Sequence, residues 1–310
     1  MALLPPDPVF TFNQRIGPVN SLCFHHHERL FAGTQKGQVY LFDLQTNRST
    51  FNMTIGENPL LSIRHSEDYL FSMEKGGTFK QNQLTNSGYK LANEIQQEHT
   101  GFCGFDCSSE DNIILAPKDE NCISVLSLDT LKEIHKLTVP PDTQTGPISC
   151  VKYLNMHYAL AAYSCGYVML WDLRSYKILA EERFNDCITS IDYDLVTNRG
   201  IIGSACDKIE LFSFNTTDAK ISKKADLQIK NPGVNCVKIR KDLKVFVSGG
   251  FDGRLRVFSW KSKRLLTVLS EHKGNLMDIA FSDGPVSFWK ANIMAASGSD
   301  GKITLWDIYN

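Results

Sequence analysis

No run of this 310-residue chain approaches the roughly 20 apolar residues that a membrane-spanning helix needs, so no helical span is expected. The start, MALLPPDPVF, has no basic flank, and three prolines break its apolar run, which argues against a secretory signal. An excess of one charge is also missing. With 33 basic against 34 acidic side chains, no global field would hold the chain on nucleic acid or an anionic bilayer. The nine cysteines contain no C-x-x-C pair and read as small core residues in a reducing compartment, which places the chain inside the cell, in cytoplasm or nucleus. The sequons at Asn47, Asn52 and Asn215 are then expected bare. Nearest to a metal pattern is Cys103-Gly-Phe-Asp-Cys107, which as a strand would turn both thiols to one face; no second Cys/His pair follows at zinc-like distance, so no metal is expected. No P-loop, G-x-G-x-x-G or paired-carboxylate pattern occurs either, and His25-His26-His27 reads as a solvated turn. Neither an enzyme nor a cofactor is expected.

What the chain does have is a repeat. AASGSDGKITLWD, ending at Asp307, writes a strand, a tight turn and a second strand closed by Trp-Asp. The template returns as FAGTQKGQVYLFD to Asp43, AAYSCGYVMLWD to Asp172, IGSACDKIELFS to Ser213 and VSGGFDGRLRVFS to Ser259, with weaker copies at Tyr69 to Asn82 and Ile113 to Ser127. Placing the Trp position at Phe42, Asn82, Leu126, Trp171, Phe212, Phe258 and Trp306 gives spacings of 40, 44, 45, 41, 46 and 48 residues. This resembles the WD40 repeat. Seven copies imply an all-β, seven-bladed propeller that uses residues 1–310 as one domain.

Each copy opens on an apolar inner strand a (VNSLCF from Val19, ISCVKY from Ile148, ITSIDY from Ile188, VNCVKI from Val234, LMDIAF from Leu276), and strand b follows as a run of small residues. The b–c turn uses Asp-Gly or a substitute, such as Lys36-Gly37 or Asp252-Gly253, which suits a two-residue hairpin. In the WD40 pattern His, Ser/Thr, Asp and Trp form one hydrogen-bonded set, and the last copy keeps all four as His272, Ser297, Asp300 and Trp306. These are read as structure and not as a Ser/His/Asp catalytic set. The second and third copies have lost nearly all of it. Because the sequence stops three residues after Asp307, the last blade is expected to lack an outer strand, and Val9 to Phe12 (VFTF) is expected to supply it and hide the open edge.

Further segments carry a closer likeness: PPDPVF at Pro5 to Phe10, GFC at Gly101 to Cys103, LAAYSCGYVMLWD at Leu160 to Asp172, NPGVNCVKIRKDLKVFVSGGFDGRLRVFSW at Asn231 to Trp260, and ITLWDIY at Ile303 to Tyr309. Together they resemble the G-protein-β-like protein 1 family and the related fungal ASTRA-associated WD40 subunit. The resemblance implies an adaptor in maturation of phosphatidylinositol-3-kinase-like kinases with the Tel/Tti co-chaperone complex, a monomeric propeller within a larger assembly.

Candidate partner-binding residues are those that are apolar or conformationally special where the repeat needs neither: Phe102, Tyr163, Asn231, Pro232 and Phe251 in loops expected to share one face. Phe288 and Trp289 sit mid-way in Ser282 to Asn292, a last a–b loop roughly twice the usual repeat length. A second reading, substrate receptor of a cullin ubiquitin ligase, rests on Trp171-Asp172-Leu173-Arg174, which matches a W-D-x-R box whose Asp172 and Arg174 would meet the ligase adaptor. The basic run Lys238 to Lys244 (KIRKDLK) reads first as a solvated turn and second as a patch for an acidic partner.

Overall fold

The computed structural model describes residues 5–26, 28–184, 186–215 and 218–309; His27 of the histidine run, residues 216–217 of the Asn215 sequon, residues 1–4 and Asn310 lie outside the described residues. Among the described residues there is no helix, and the strands form seven four-stranded sheets, the blades of a β-propeller. Blades 1 to 6 span residues 19–54, 60–96, 106–138, 148–183, 188–228 and 234–269, each with its strands a to d in chain order. Blade 7 takes strands a to c from Leu276–Val286, Ala291–Gly298 and Ile303–Asp307, and strand d from Phe10–Phe12.

The repeat's register is the same in all seven blades. The residue at the Trp position always pairs with the strand-b residue twelve earlier: Leu30 with Phe42, Leu70 with Asn82, Ile114 with Leu126, Ala159 with Trp171, Gly200 with Phe212, Phe246 with Phe258 and Met294 with Trp306. All seven are buried, Asn82 included. In blades 1 to 6 the c–d register slips just before this residue, as at Gln81/Asn82 and Val125/Leu126. A bulge there sharpens the twist of the outer strands, so position rather than tryptophan sets it. The b–c turns are longer than the two-residue hairpin expected: Gln35, Lys36 and Gly37 separate the strands Arg29–Thr34 and Gln38–Asp43. Gly37 (φ 69°) cannot be replaced cheaply, since a Cβ would stand 2.2 Å from the Gly56 carbonyl oxygen.

The chain divides into two compact units. Residues 1–65 and 231–310 hold blades 1, 6 and 7 and all but the last residue of the strand Leu60–Ser66. One of this unit's cores joins Phe12, Val19, Leu22 and Phe42 to Ile293, Ala295, Ile303 and Leu305, so the final strands of the chain pack on the first blade. Inner strands are tied by side chains: Asp278 accepts from Leu22 N–H (2.8 Å), and Ser21 accepts from Ile63 N–H (3.1 Å). Residues 66–230 hold blades 3 to 5 and the strands Tyr69–Glu74, Thr78–Thr85 and Gly88–Gln96, and here Asp106 accepts from Tyr153 N–H (3.0 Å).

Four local expectations are corrected. The segment Ser282 to Asn292 is not a loop: Pro285 pairs with Asn292 and Val286 with Ala291, so the hairpin continues past a bulge to a turn at Ser287–Lys290. Arg240 in the basic run is buried rather than solvated, its guanidinium donating to the Ile308 and Tyr309 carbonyls (2.6 and 2.7 Å) and to Asp242 (2.8 Å). Cys103 lies before the short strand Asp106–Ser108, so strand alternation does not place it with Cys107. Finally, His25 ends the strand Val19–His25 and packs on His65, ring centroids 3.8 Å apart, with His65 stacked on Phe31. Burial, then the neighbouring His26 and Arg29, lowers His25 to about 4, and burial, then His25 and His26, lowers His65 to about 3.

The closing strand generates the first prediction. Phe12 is buried with its ring 4.4 Å from that of Phe42. Phe12→Ala is expected to lower unfolding stability by about 3–5 kcal/mol, read as a lower urea midpoint; an unchanged midpoint would show that Phe10–Phe12 does not hold the last blade. The histidine pair generates the second. In the unfolded chain each imidazole takes a proton near pH 6.5, and in the folded chain only near the lowered values, so stability falls as pH drops from about 6.5 toward 4. His25→Gln/His65→Phe should flatten this loss in melting curves recorded from neutral pH to about pH 5, whereas an equally steep loss would place the acid sensitivity elsewhere.

Candidate functional site

The polar set of blade 7 forms, with one member changed. His272 Nδ1 meets Asp300 Oδ1 at 3.1 Å, His272 Nε2 meets Thr304 Oγ1 at 2.9 Å, and the Trp306 indole N–H donates to that same hydroxyl at 2.8 Å. Ser297, expected in the set, is buried with its hydroxyl bonded to nothing, and Thr304 stands in its place. Donors and acceptors fit one direction: Trp306 N–H to Thr304, Thr304 O–H to His272 Nε2, His272 Nδ1–H to Asp300. Burial opposes charge on Asp300, but hydrogen bonds from Lys273 N–H, the His272 ring and Lys302 N–H outweigh it and hold the carboxyl below its usual range. His272 and Thr304 are both buried, and the one hydroxyl that reaches the imidazole is occupied by the indole, so no nucleophile is presented.

Blade 6 uses other residues at the same positions. Arg256, two before Phe258 as Thr304 is two before Trp306, donates to Asp252 through Nη2 (2.6 Å) and Nη1 (3.2 Å), and Asn231 Nδ2 donates to Asp252 Oδ2 (2.8 Å). Asn231 thus does for this blade what His272 does for the last one, a structural duty and not the free partner contact expected. The same corner gathers Pro232 and Phe251. Phe251 N–H donates to the Gly233 carbonyl (3.0 Å), and Gly233 sits at φ 91° where a Cβ would lie 2.2 Å from the Phe251 ring. Glycine is what lets the ring rest on the backbone and still keep 40% of its surface exposed. At the other end of these strands, Phe288 is 59% exposed at the tip of the hairpin extension; Trp289 turns inward, edge-on to it at 5.1 Å and packed on the core.

In the second unit, Phe102 is the most open aromatic ring among the described residues, 76% exposed with Lys75 Nζ 4.0 Å from its centroid. Tyr163 is fully buried and cannot meet a partner as expected; burial pushes its phenol well above the ordinary range, with the neighbouring Trp171 side chain pulling the other way. Strand alternation explains the miss, because Tyr163 ends the strand Tyr158–Tyr163 facing a blade and not the turn. The box residues close on each other: Asp172 accepts from Arg174 N (2.9 Å), Nε (2.9 Å) and Nη2 (2.8 Å), which holds its carboxyl down at about 2. To reach an adaptor, Arg174 must first leave this pair.

Thr304 and Arg256 were missed by sequence reasoning, and Arg240 was misread as solvated. Thr304 and Arg256 had a readable signal, a polar residue two before the Trp position on a strand otherwise apolar. His99 was missed too: it lies in the loop before blade 3, buried, its imidazole lowered by burial against the raising effect of Asp119 and Glu120. A His and an Asp therefore survive near one another in a repeat that looked empty.

These positions separate the two hydroxyls of blade 7. Thr304→Val should cost about 1–3 kcal/mol by stranding the His272 Nε2 acceptor and the Trp306 indole donor, while Ser297→Ala should stay within about 0.5 kcal/mol of wild type. Thermal melts of the two variants decide this, and the reverse ranking would restore Ser297 to the set.

The family model "WD domain, G-beta repeat" matches residues 6–43, 226–259 and 263–307. The chain is 26% identical to guanine nucleotide-binding protein subunit beta-like protein 1 of Mus musculus over 300 residues, covering 90% of this chain and 91% of that protein. It is 22% identical to ASTRA-associated protein 1 of Schizosaccharomyces japonicus, over 93% of this chain and 100% of that protein, and 21% identical to the Aspergillus flavus protein of the same name, over 92% and 85%. Among the described residues no helix is long and apolar enough to cross a membrane, and no group of three or more His, Cys, Asp or Glu is placed to hold a metal ion. The repeat register, the blade 7 polar set and these likenesses agree: the chain is a WD40-repeat β-propeller, similar along nearly its whole length to the G-protein-β-like protein 1 and ASTRA-associated protein 1 relatives.

Proposed function

We propose that this protein is a non-enzymatic adaptor of the cell interior that works as one seven-bladed platform, presenting loop aromatics to partner proteins during assembly of phosphatidylinositol-3-kinase-like kinases with the Tel/Tti co-chaperone complex. The kinase link is supported by the name that the fungal relatives carry, ASTRA-associated protein 1, and by the length of the match. The observation that carries the adaptor reading is the corner at Phe251. A glycine at positive φ is spent on seating a phenyl ring that the blade leaves 40% exposed, and exposed aromatics that are rigidly seated are what binding hot spots use. Phe102 and Phe288 are further anchors on turns that no strand pairing requires to be aromatic. Trp289 is set aside because it packs on the core.

The test is capture of partners from cells with single-alanine variants. Phe251→Ala, Phe102→Ala and Phe288→Ala should keep the wild-type circular dichroism spectrum, and at least one should lose a co-purifying kinase-maturation partner. Truncating a hot-spot aromatic costs about 2–4 kcal/mol, roughly 30- to 1000-fold in affinity. Three folded variants that retain every wild-type partner would refute these anchors.

A further inference from the structure

The fold gathers positive charge that the whole-chain balance conceals. Trp260 N–H donates to the Lys244 carbonyl (2.9 Å), which ties the a–b turn of blade 6, Arg240 to Lys244, to its c–d turn, Trp260 to Arg264. These two turns carry six basic side chains and one acidic, in a chain whose formal net charge is −1. Arg240 is buried and committed to carbonyls and to Asp242, so it neutralises that one carboxylate from below. Lys241 pairs with Asp283 of the blade 7 hairpin, and Lys263 lies over the Trp260 ring while donating to the Trp260 carbonyl. Lys244, Lys261 and Arg264 are left exposed at the turn tips, Lys244 no closer than 3.9 Å to Asp242. Immediately after Arg264, Leu265 and Leu266 begin the outer strand of the blade at 52% and 40% exposure.

From this arrangement we propose that the rim of blade 6 is a docking surface for an acidic peptide segment of a partner protein, its carboxylates on Lys244, Lys261 and Arg264 and an apolar residue on Leu265 and Leu266. The site is distinct from the Phe251 corner at the other end of the same blade, and the proposal does not depend on the kinase link. Geometry selects among polyanions. The cations stand at the turn tips and the leucines follow directly at the start of the outer strand, a short run that one extended segment can span. Trp260 is 2% exposed beneath Lys263, so its indole is not open to stack on a base as single-stranded nucleic acid would need. Charges so exposed steer and select more than they tighten, so binding should be fast and sensitive to salt.

The experiment is fluorescence anisotropy with two labelled peptides, poly-glutamate and a glutamate peptide interspersed with leucine, read alongside phosphatidylserine vesicles and polyuridylate. Wild type should bind the leucine-containing peptide more tightly than poly-glutamate, with affinity falling as salt rises. Lys244→Glu/Lys261→Glu should weaken it by about tenfold or more, and Leu265→Ser/Leu266→Ser should erase the preference for the leucine peptide. Lys36→Glu/Lys273→Glu, which makes the same change in net charge at the opposite ends of the strands, should bind as wild type does. Melting curves confirm that each variant is folded, and the salt dependence and peptide preference of the unmutated chain stand as readouts that need no variant. Equal loss in the Lys36/Lys273 control, unaltered binding in the Lys244/Lys261 variant, or tighter binding to vesicles or polyuridylate than to either peptide would overturn the proposal.

Discussion

A four-stranded sheet with apolar residues on both faces can bury one of them only by finding a neighbour, and the neighbour inherits the same problem. That constraint governs this protein. The blade cores draw on adjacent blades, as where Trp306 and Met294 of blade 7 lie with Val247 and Val257 of blade 6, and Leu160 and Leu170 of blade 4 with Ile202 and Phe212 of blade 5. Apolar burial between blades is non-directional, so it does not by itself fix the register of one blade on the next. Directional contacts supply that, and they come from the inner strands: the Asp278, Ser21 and Asp106 side chains each accept a backbone N–H from the strand beside them. Burial pushes the Asp278 carboxyl up, with Arg64, the Leu22 N–H and Lys238 working to keep it charged.

Within that frame the polar sets at the b–c turns are interchangeable parts. Blade 7 joins a loop histidine, a turn aspartate and a strand-c threonine; blade 6 does the same with asparagine, aspartate and arginine; blade 2 substitutes a Lys80 to Glu74 ion pair at 2.7 Å, both side chains largely buried. What is kept is a donor and an acceptor that fasten the turn to strand c, and several residue types can furnish them. This is why the second repeat looks eroded in sequence while it still forms a four-stranded blade; the third keeps its four strands with a shortened inner strand, Asp106–Ser108.

The same reasoning marks what could be read from the chain alone. Strand order, the count of seven, the position opposite each strand-b residue and the borrowed outer strand Phe10–Phe12 all followed from spacing and from the Trp-Asp template, because those depend on period and on turn chemistry. Side-chain direction at strand ends did not follow. Tyr163 and Asn231 were expected at the surface and serve the interior; Arg240 was read as solvated and holds the Ile308 and Tyr309 carbonyls. Tyr163 and Arg240 sit at the boundary between strand and turn, where alternation no longer predicts which way a side chain faces, and Asn231 is turned back from its loop by Asp252. Phe102 and Phe288 were legible as exposed because they lie in turns, clear of such boundaries; Phe251 follows directly on a strand and stays open because Gly233 lets its ring rest on the backbone.

The strand Phe10–Phe12 pairs with Ile303–Leu305, nearly the full length of the chain away. On the ribosome, Phe10–Phe12 must therefore wait for a strand made far later before it can be covered. During that interval blade 7 does not exist, blade 1 lacks one of its flanks, and the phenyl rings at 10 and 12 are open to any other chain nearby. Contacts of such sequence separation are slow to form, and unpaired apolar strands of this kind are what chaperones recognise. Pairing two strands so far apart in sequence leaves Phe10–Phe12 uncovered until late in synthesis, an interval in which its phenyl rings can meet other chains before they meet their own blade.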